Sequence, residues 1–193
     1  AGVIDTDSPV VQDITIRRQN IAIESIRGDR RLPSGAWDWW LEGEPNIAYL
    51  RISFFSKQTG SQCSEILHDL AERNKSLEGL IIDLRGNAGG VLESGVSVCD
   101  LFLEDELVVA ITNARIRDHS DRKQIQQEWR ATRGKILEGV PIAILIDEFT
   151  ADVSEVVAAC LQDHGRAKIV GSRSFGNASI QTTTVLSSGP GAI

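Results

Sequence analysis

Residues 79–90, with the sequence GLIIDLRGNAGG, decide the fold of this 193-residue chain. The aliphatic side chains of this stretch are nearly continuous: Leu80, Ile81, Ile82 and Leu84. Such a run is typical of a strand that helices cover on both faces. The glycines within 86–90 then interrupt the pattern. The stretch therefore predicts a buried strand of a parallel sheet, followed by a tight, Gly-rich loop.

Strands and helices alternate on both sides of this stretch, as judged by apolar runs and helical periodicity. The predicted order is strand 47–52, helix 61–74, strand 79–84, helix 91–102, strand 107–111, strand 142–146, helix 152–163 and strand 168–170. Residues 113–135 are polar and predict an excursion or a hairpin. This alternation predicts an α/β domain with right-handed crossovers and a mostly parallel sheet. In such sheets, sites form at the loops beyond the carboxyl ends of the strands.

The two ends of the chain differ from this pattern. Residues 10–16 and 20–26 alternate apolar and polar side chains, which predicts short, half-buried strands. We therefore divide the chain into an N-terminal segment, 1–26, and a main domain, 27–193. Residues 179–186 predict a further strand, and we expect the natural protein to continue beyond the last residue.

Composition excludes several function classes. The formal net charge is -7, which disfavours a nucleic-acid partner because such binding relies on Lys and Arg neutralising phosphates. No apolar run approaches the roughly 20 residues that cross a bilayer. The three cysteines are widely spaced, so they predict buried hydrophobic residues rather than a disulfide framework or a metal site: Cys63, Cys99 and Cys160. The histidines lack short-spaced partners, and we predict no metal and no cofactor.

Two aromatic or glycine-rich features have more than one interpretation. The loop 86–90 fits a phosphate loop, an oxyanion-binding loop or a plain tight turn. A phosphate loop needs Lys and Ser or Thr after its glycines, whereas Val91 and Leu92 follow here, which argues against nucleotide binding. The tryptophans at 37, 39 and 40 could line a ligand groove, but packing is the favoured interpretation.

Three patches together resemble the peptidase domain of the carboxyl-terminal-processing (tail-specific) proteases, peptidase family S41. They are residues 80–90, 150–155 and 171–181, and the similarity extends over residues 37–193. The resemblance implies a crotonase/ClpP-like α/β core. It also implies that residues 10–26 are the end of a PDZ domain, and that the protein is exported, in the periplasm or secreted.

The resemblance assigns a role to each position of the site. In the family, a Ser at the start of a helix attacks the peptide carbonyl, a later Lys takes its proton, and a Gln four residues on orients the Lys. These positions are Asp152, Asn177 and Gln181. The resemblance further places a backbone donor of the oxyanion hole at Gly89 or Gly90 and a second donor at Val153. Phe175 is expected to line the cleft.

The two substitutions change what the site can do. Ser/Lys hydrolysis needs a hydroxyl that becomes an alkoxide and a neutral amine that accepts its proton. Asp152 and Asn177 supply neither, and Ser154 and Lys168 are poorly placed to replace them. We therefore predict an inactive pseudo-peptidase that binds a peptide or a protein carboxyl terminus. The alternatives are an active S41 serine endopeptidase with rerouted or impaired catalysis and, less favoured, a purely structural module.

Asp152 itself has two compatible interpretations. As an N-cap, it would bind the free amides of the helix, with Glu155 completing a capping box. Its carboxylate would also be favoured where the family's oxyanion forms, next to a helix N-terminus.

Overall fold

A computed structural model describes residues 14–17, 23–73, 77–117, 122–132, 136–177 and 179, without the side chains of 73, 114–117 and 122–125. The strands, in chain order, are β1 (Ile26–Arg27), β2 (Arg30–Arg31), β3 (Trp37–Asp38), β4 (Trp40–Leu41), β5 (Glu44–Ile52), β6 (Gly79–Asp83), β7 (Val108–Arg117), β8 (Arg122–Arg130), β9 (Ile142–Ile146) and β10 (Lys168–Gly171). The helices are α1 (Thr59–Arg73), α2 (Leu92–Asp100) and α3 (Val153–Asp163). No helix of these ranges is long and apolar enough to span a membrane.

The main sheet is mixed but mostly parallel, which confirms the predicted fold class. Its order is β1-β5-β6-β9-β10, with β4 also paired to β5. The pairs β5 with β6, β6 with β9, and β9 with β10 are parallel, whereas β1 and β4 run antiparallel to β5. Because the parallel strands end at one edge, the loops 84–91, 147–152 and 172–177 gather there.

The core lies between this sheet and the helices. Leu80 and Ile82, on one face of β6, are each 1% exposed, and on the other face Asp83 is completely buried whereas Ile81 is partly exposed. Both faces of this central strand are therefore covered, one of them less completely. Cys63, Leu67 and Leu70 of α1 recur at helical spacing and are buried. Each such Leu or Ile contributes roughly 1.5–3 kcal/mol by leaving water.

Helices α2 and α3 pack closely against each other at Gly95. A β-carbon at this position would lie 2.3 Å from Cγ1 of Val153 and 3.3 Å from Cγ2 of Val157. Glycine therefore permits the contact, and a larger residue would push the helices apart. The N-termini of both helices lie at the edge where the strand carboxyl ends meet.

One predicted strand has a different partner from the one expected. Residues 107–111 suggested another strand of the parallel sheet, but β7 extends to Arg117 and pairs antiparallel with β8 in a separate sheet. The excursion predicted for 113–135 is thus this hairpin. A side chain such as Ile111, 49% exposed, shows that β7 is covered incompletely, unlike a central strand.

The front of the chain was only partly anticipated. Residues 10–13 and 20–22 of the strands predicted for 10–16 and 20–26 lie outside the described residues. The described residues 14–16 and 23–25 form no strand, and Ile26 begins β1. Trp39 and Trp40 pack against the core, which confirms the packing interpretation for both. Trp37 stacks under the guanidinium of Arg31, 4.0 Å from the ring centroid.

Candidate functional site

Asn87 joins the Gly-rich loop to the elements on either side of it. Its side-chain nitrogen donates to the carbonyl of Ile52 at 2.9 Å, and its side-chain oxygen accepts the N–H of Gly89 at 2.9 Å. Its own carbonyl accepts the N–H of Ala151 at 2.9 Å and the hydroxyl of Ser154 at 3.0 Å. Asn87 is completely buried, so one residue fixes the end of β5, the loop and the start of α3.

A buried carboxylate holds the end of β6. Asp83 is 0% exposed and accepts the hydroxyl of Tyr49 at 2.6 Å. It also accepts Nε and Nη2 of Arg85, at 2.9 and 2.8 Å, and Nη1 of Arg51 at 3.4 Å. Burial alone would raise the pKa of Asp83, but the hydrogen bonds from Arg85 and Tyr49 outweigh burial and lower it. Asp83 is therefore ionised, and it anchors the strand from which the loop leaves.

Asp152 adopts a backbone conformation that side-chain-bearing residues rarely tolerate. Its φ is 55° and its ψ is -123°, immediately before the first residue of α3. Such conformations cost of order 1–3 kcal/mol, and they concentrate at functional sites. The carboxylate lies against the loop: Oδ2 accepts the N–H of Gly90 at 3.4 Å. A β-carbon on Gly89 would lie only 2.6 Å from that oxygen.

Glu155 organises the segment that carries Asn177. Its Oε1 accepts the hydroxyl of Ser174 at 2.6 Å and the N–H of Gly176 at 2.7 Å. Its Oε2 accepts the N–H of Asn177 at 2.9 Å and that of Asp152 at 3.0 Å. Burial opposes ionisation of Glu155, but these four hydrogen bonds outweigh it and lower its pKa. Sequence reasoning recognised Glu155 only as the capping partner of Asp152 and missed its hold on the loop.

The positions expected for nucleophile and base are brought together by this carboxylate. The backbone nitrogens of Asp152 and Asn177 bind the same oxygen of Glu155, so the two residues are neighbours. Asn177 is exposed, and its side-chain oxygen accepts the hydroxyl of Ser179 at 2.9 Å. Gln181 lies outside the described residues.

The backbone N–H groups of the two glycines proposed for the oxyanion hole have different hydrogen-bond acceptors. The N–H of Gly89 already donates to Asn87, whereas that of Gly90 points at the Asp152 carboxylate. Val153 is the first residue of α3, so its N–H has no acceptor within the helix. Gly90 is therefore the better of the two candidate donors, and the roles of Gly90 and Val153 in binding an oxyanion remain predictions.

Two exposed aromatic rings lie on the loops around Asp152. Phe149 is 64% exposed and Phe175 is 70% exposed. The N–H of Phe175 donates to the carbonyl of Thr150 at 2.9 Å, which ties the two loops together. Phe175 thus lies on an exposed loop next to Asp152, and its role in lining a cleft stays a prediction.

The nearby serine and the lysine considered as replacements are placed elsewhere. Ser154 is buried and its hydroxyl is bound to the Asn87 carbonyl. Lys168 is exposed at the start of β10, at the end of that strand opposite the loop 172–177. Within the described ranges there is no group of three or more His, Cys, Asp or Glu residues that would hold a metal ion.

Comparison with known proteins gives a consistent result. The model of peptidase family S41 matches residues 46–192. A carboxyl-terminal-processing protease of Synechocystis sp. is 30% identical over 189 residues, covering 98% of this chain and 40% of the relative. A carboxy-terminal-processing protease of Bartonella bacilliformis is 33% identical over 178 residues, covering 91% of this chain and 36% of the relative.

A solved structure shares the fold. The photosystem II D1 C-terminal processing protease superposes with a TM-score of 0.63 at 26% identity, covering 88% of this chain and 42% of that one. This chain therefore spans about two fifths of the length of these relatives.

Proposed function

Since this chain belongs to peptidase family S41, the family of the carboxyl-terminal-processing proteases, we propose that it is a catalytically inactive member that binds peptides or proteins through its cleft. Its ligand would be an extended segment with an apolar carboxyl terminus. The position of the Asp152 carboxylate against the N–H of Gly90 is the observation that carries the proposal.

The proposal of inactivity rests on the chemistry of two side chains. A carboxylate is a weak nucleophile toward an amide, and the carboxamide of Asn177 does not accept a proton near neutral pH. The Asp152 carboxylate also occupies the N–H that would stabilise the negative charge of a tetrahedral intermediate. Losing one such donor alone costs about 100- to 1000-fold in turnover.

The proposal of binding rests on what the site retains. The loops keep their hydrogen-bonded frame, and Phe175 offers an exposed apolar surface. Among the described residues, β10 has a partner strand on one side only, and Val170 on it is 51% exposed. An added strand needs backbone groups rather than a nucleophile, so pairing of this kind survives loss of the Ser/Lys chemistry.

Two measurements on the full chain separate this proposal from its rivals. Unstructured peptides with apolar carboxyl termini are titrated by calorimetry, and the same peptides are followed by mass spectrometry for cleavage. We expect saturable binding without cleavage. Sustained cleavage that Asp152→Ala abolishes would establish the active-enzyme alternative, and neither binding nor cleavage would leave only a structural module.

A gain-of-function variant tests the assignment of the two positions. Asp152→Ser combined with Asn177→Lys restores a hydroxyl and an amine, and we expect at most weak turnover because catalytic geometry tolerates only small errors. Asp163→Ser, at the exposed end of the same helix, is the matched control and should stay inactive. Equal turnover in the control and the double variant would overturn the assignment.

A further inference from the structure

Two of the three cysteines lie on facing sides of the helix pair α2 and α3. Cys99 is 0% exposed and Cys160 is 5% exposed. Both helices run from the cleft in the same direction, and Gly95 contacts Val153 and Val157 near their N-termini. One further turn along α2 leads to Cys99, and about one further turn along α3 leads to Cys160.

Cys99 and Cys160 continue the helix contact on the same faces, four residues after Gly95 and three residues after Val157, so the two thiols face each other. The neighbouring Cys160 thiol, together with burial, raises the pKa of Cys99, whereas the neighbouring Cys99 thiol lowers the pKa of Cys160 against the effect of burial. Cys63, on α1, is as buried, and burial alone raises its pKa to about 12.

We propose that Cys99 and Cys160 form a disulfide bond between α2 and α3, with a small-molecule or protein disulfide as the oxidant. The sequence gives no sign of this pair, because 99 and 160 are far apart in the chain. The inference depends on the helix packing that brings the sulfurs together and holds independently of whether the cleft binds or cleaves peptides.

The reaction is a balanced thiol–disulfide exchange. The Cys160 thiolate attacks one sulfur of the oxidant and forms a mixed disulfide, releasing the first oxidant thiol. The Cys99 thiolate then attacks the Cys160 sulfur and displaces the second oxidant thiol. Each cysteine loses one proton, and the two electrons reduce the oxidant. Because both thiols are buried, attack occurs during folding or through local opening of the helix pair.

The bond would fix the register of the two helices that support the cleft. The Gly90 loop leads directly into α2, and Asp152 precedes the first residue of α3. A cross-link farther along the same helices holds these N-termini in one relative position. The oxidised chain is therefore the more preorganised form of the cleft.

The test uses the full chain, refolded from denaturant in a buffer of reduced and oxidised glutathione, alkylated, digested and mapped by mass spectrometry. We expect a peptide pair linked through Cys99 and Cys160, with Cys63 alkylated as a free thiol. The unfolding equilibrium constant of the oxidised chain should be about a thousand-fold smaller than that of the reduced chain, with full reversal by a reductant.

The variants make the assignment specific. Cys63→Ala should keep the linkage and the stabilisation, and Cys160→Ala should lose both. A bond involving Cys63, glutathione adducts in place of an internal bond, or three free thiols after refolding would each overturn the proposal. The mapping of the unaltered chain decides the matter even if Cys160→Ala does not fold.

Discussion

Replacing Glu155 with Gln removes a charge while conserving the shape of the side chain. The carboxylate accepts four hydrogen bonds, two at each oxygen. The carboxamide of Gln keeps one accepting oxygen, but its NH2 group faces the donors that the other oxygen satisfied. The substitution therefore removes about half of the contacts and places donors against donors.

The structure sets the size of the effect. Hydrogen bonds to a charged group contribute roughly 1.5–3 kcal/mol each, and partial exposure of Glu155 reduces this toward the lower end. With two bonds lost, we expect Glu155→Gln to lower the free energy of unfolding by about 2–3 kcal/mol. The amide of Asn177 should lose about 30-fold or more of its protection from hydrogen exchange.

The assay is urea unfolding at neutral pH together with hydrogen exchange read by mass spectrometry or NMR. Glu148→Gln is the matched control, because the exposed Glu148 accepts the hydroxyl of Ser172 at 3.1 Å and lies on a neighbouring loop. We expect the control to stay within about 0.5 kcal/mol of the unaltered chain. If both variants gave the same unfolding midpoint and the same exchange of Asn177, Glu155 would not be what holds the loop.

Two further outcomes follow from the same geometry. Gly89→Ala places a β-carbon 2.6 Å from Asp152 at a φ of +99°. It should lower the free energy of unfolding by about 1–3 kcal/mol more than Gly35→Ala, because Gly35 has a φ of +82° but open surroundings. Equal unfolding free energies of the two variants would contradict this expectation. The pKa of Glu155 is depressed in the folded state, so the stability that its carboxylate contributes is complete above the ordinary Glu pKa of about 4.3 and is lost as the pH falls through the lower folded value. Hydrogen exchange of the Asn177 amide, corrected for its intrinsic rate, should therefore accelerate below about pH 4. Glu155→Gln should abolish that pH dependence.

Much of the fold was predictable because the apolar pattern of each segment agrees with the strand or helix that the segment forms. The strand 142–146 was predicted with its observed bounds, and the helix predicted at 152–163 differs by one residue. The partner of β7 was not predictable, since an aliphatic run fits a parallel strand and a hairpin strand equally well. Short strands such as Trp37–Asp38 carry too few residues to give a period.

For the site, the sequence predicted which positions belong to it but not the contacts between them. Motif spacing indicated Asp152 and Asn177, and the structure brings both to one carboxylate. The hold of Glu155 on residues 174–177 depends on a loop returning to the helix N-terminus, and no spacing rule encodes that return. The same is true of Asn87, whose contacts reach from residue 52 to residue 154.

The position of Asn87 has a consequence for how the protein changes over evolutionary time. Its hydrogen bonds tie the last residue of β5, the Gly-rich loop and the first turn of α3 to a buried point beneath the cleft, so we expect these segments to melt together with the interior. We therefore expect the backbone shape of the proposed binding surface to depend on the stability of the whole domain, whereas an exposed side chain such as that of Asn177 can be replaced without disturbing this buried frame.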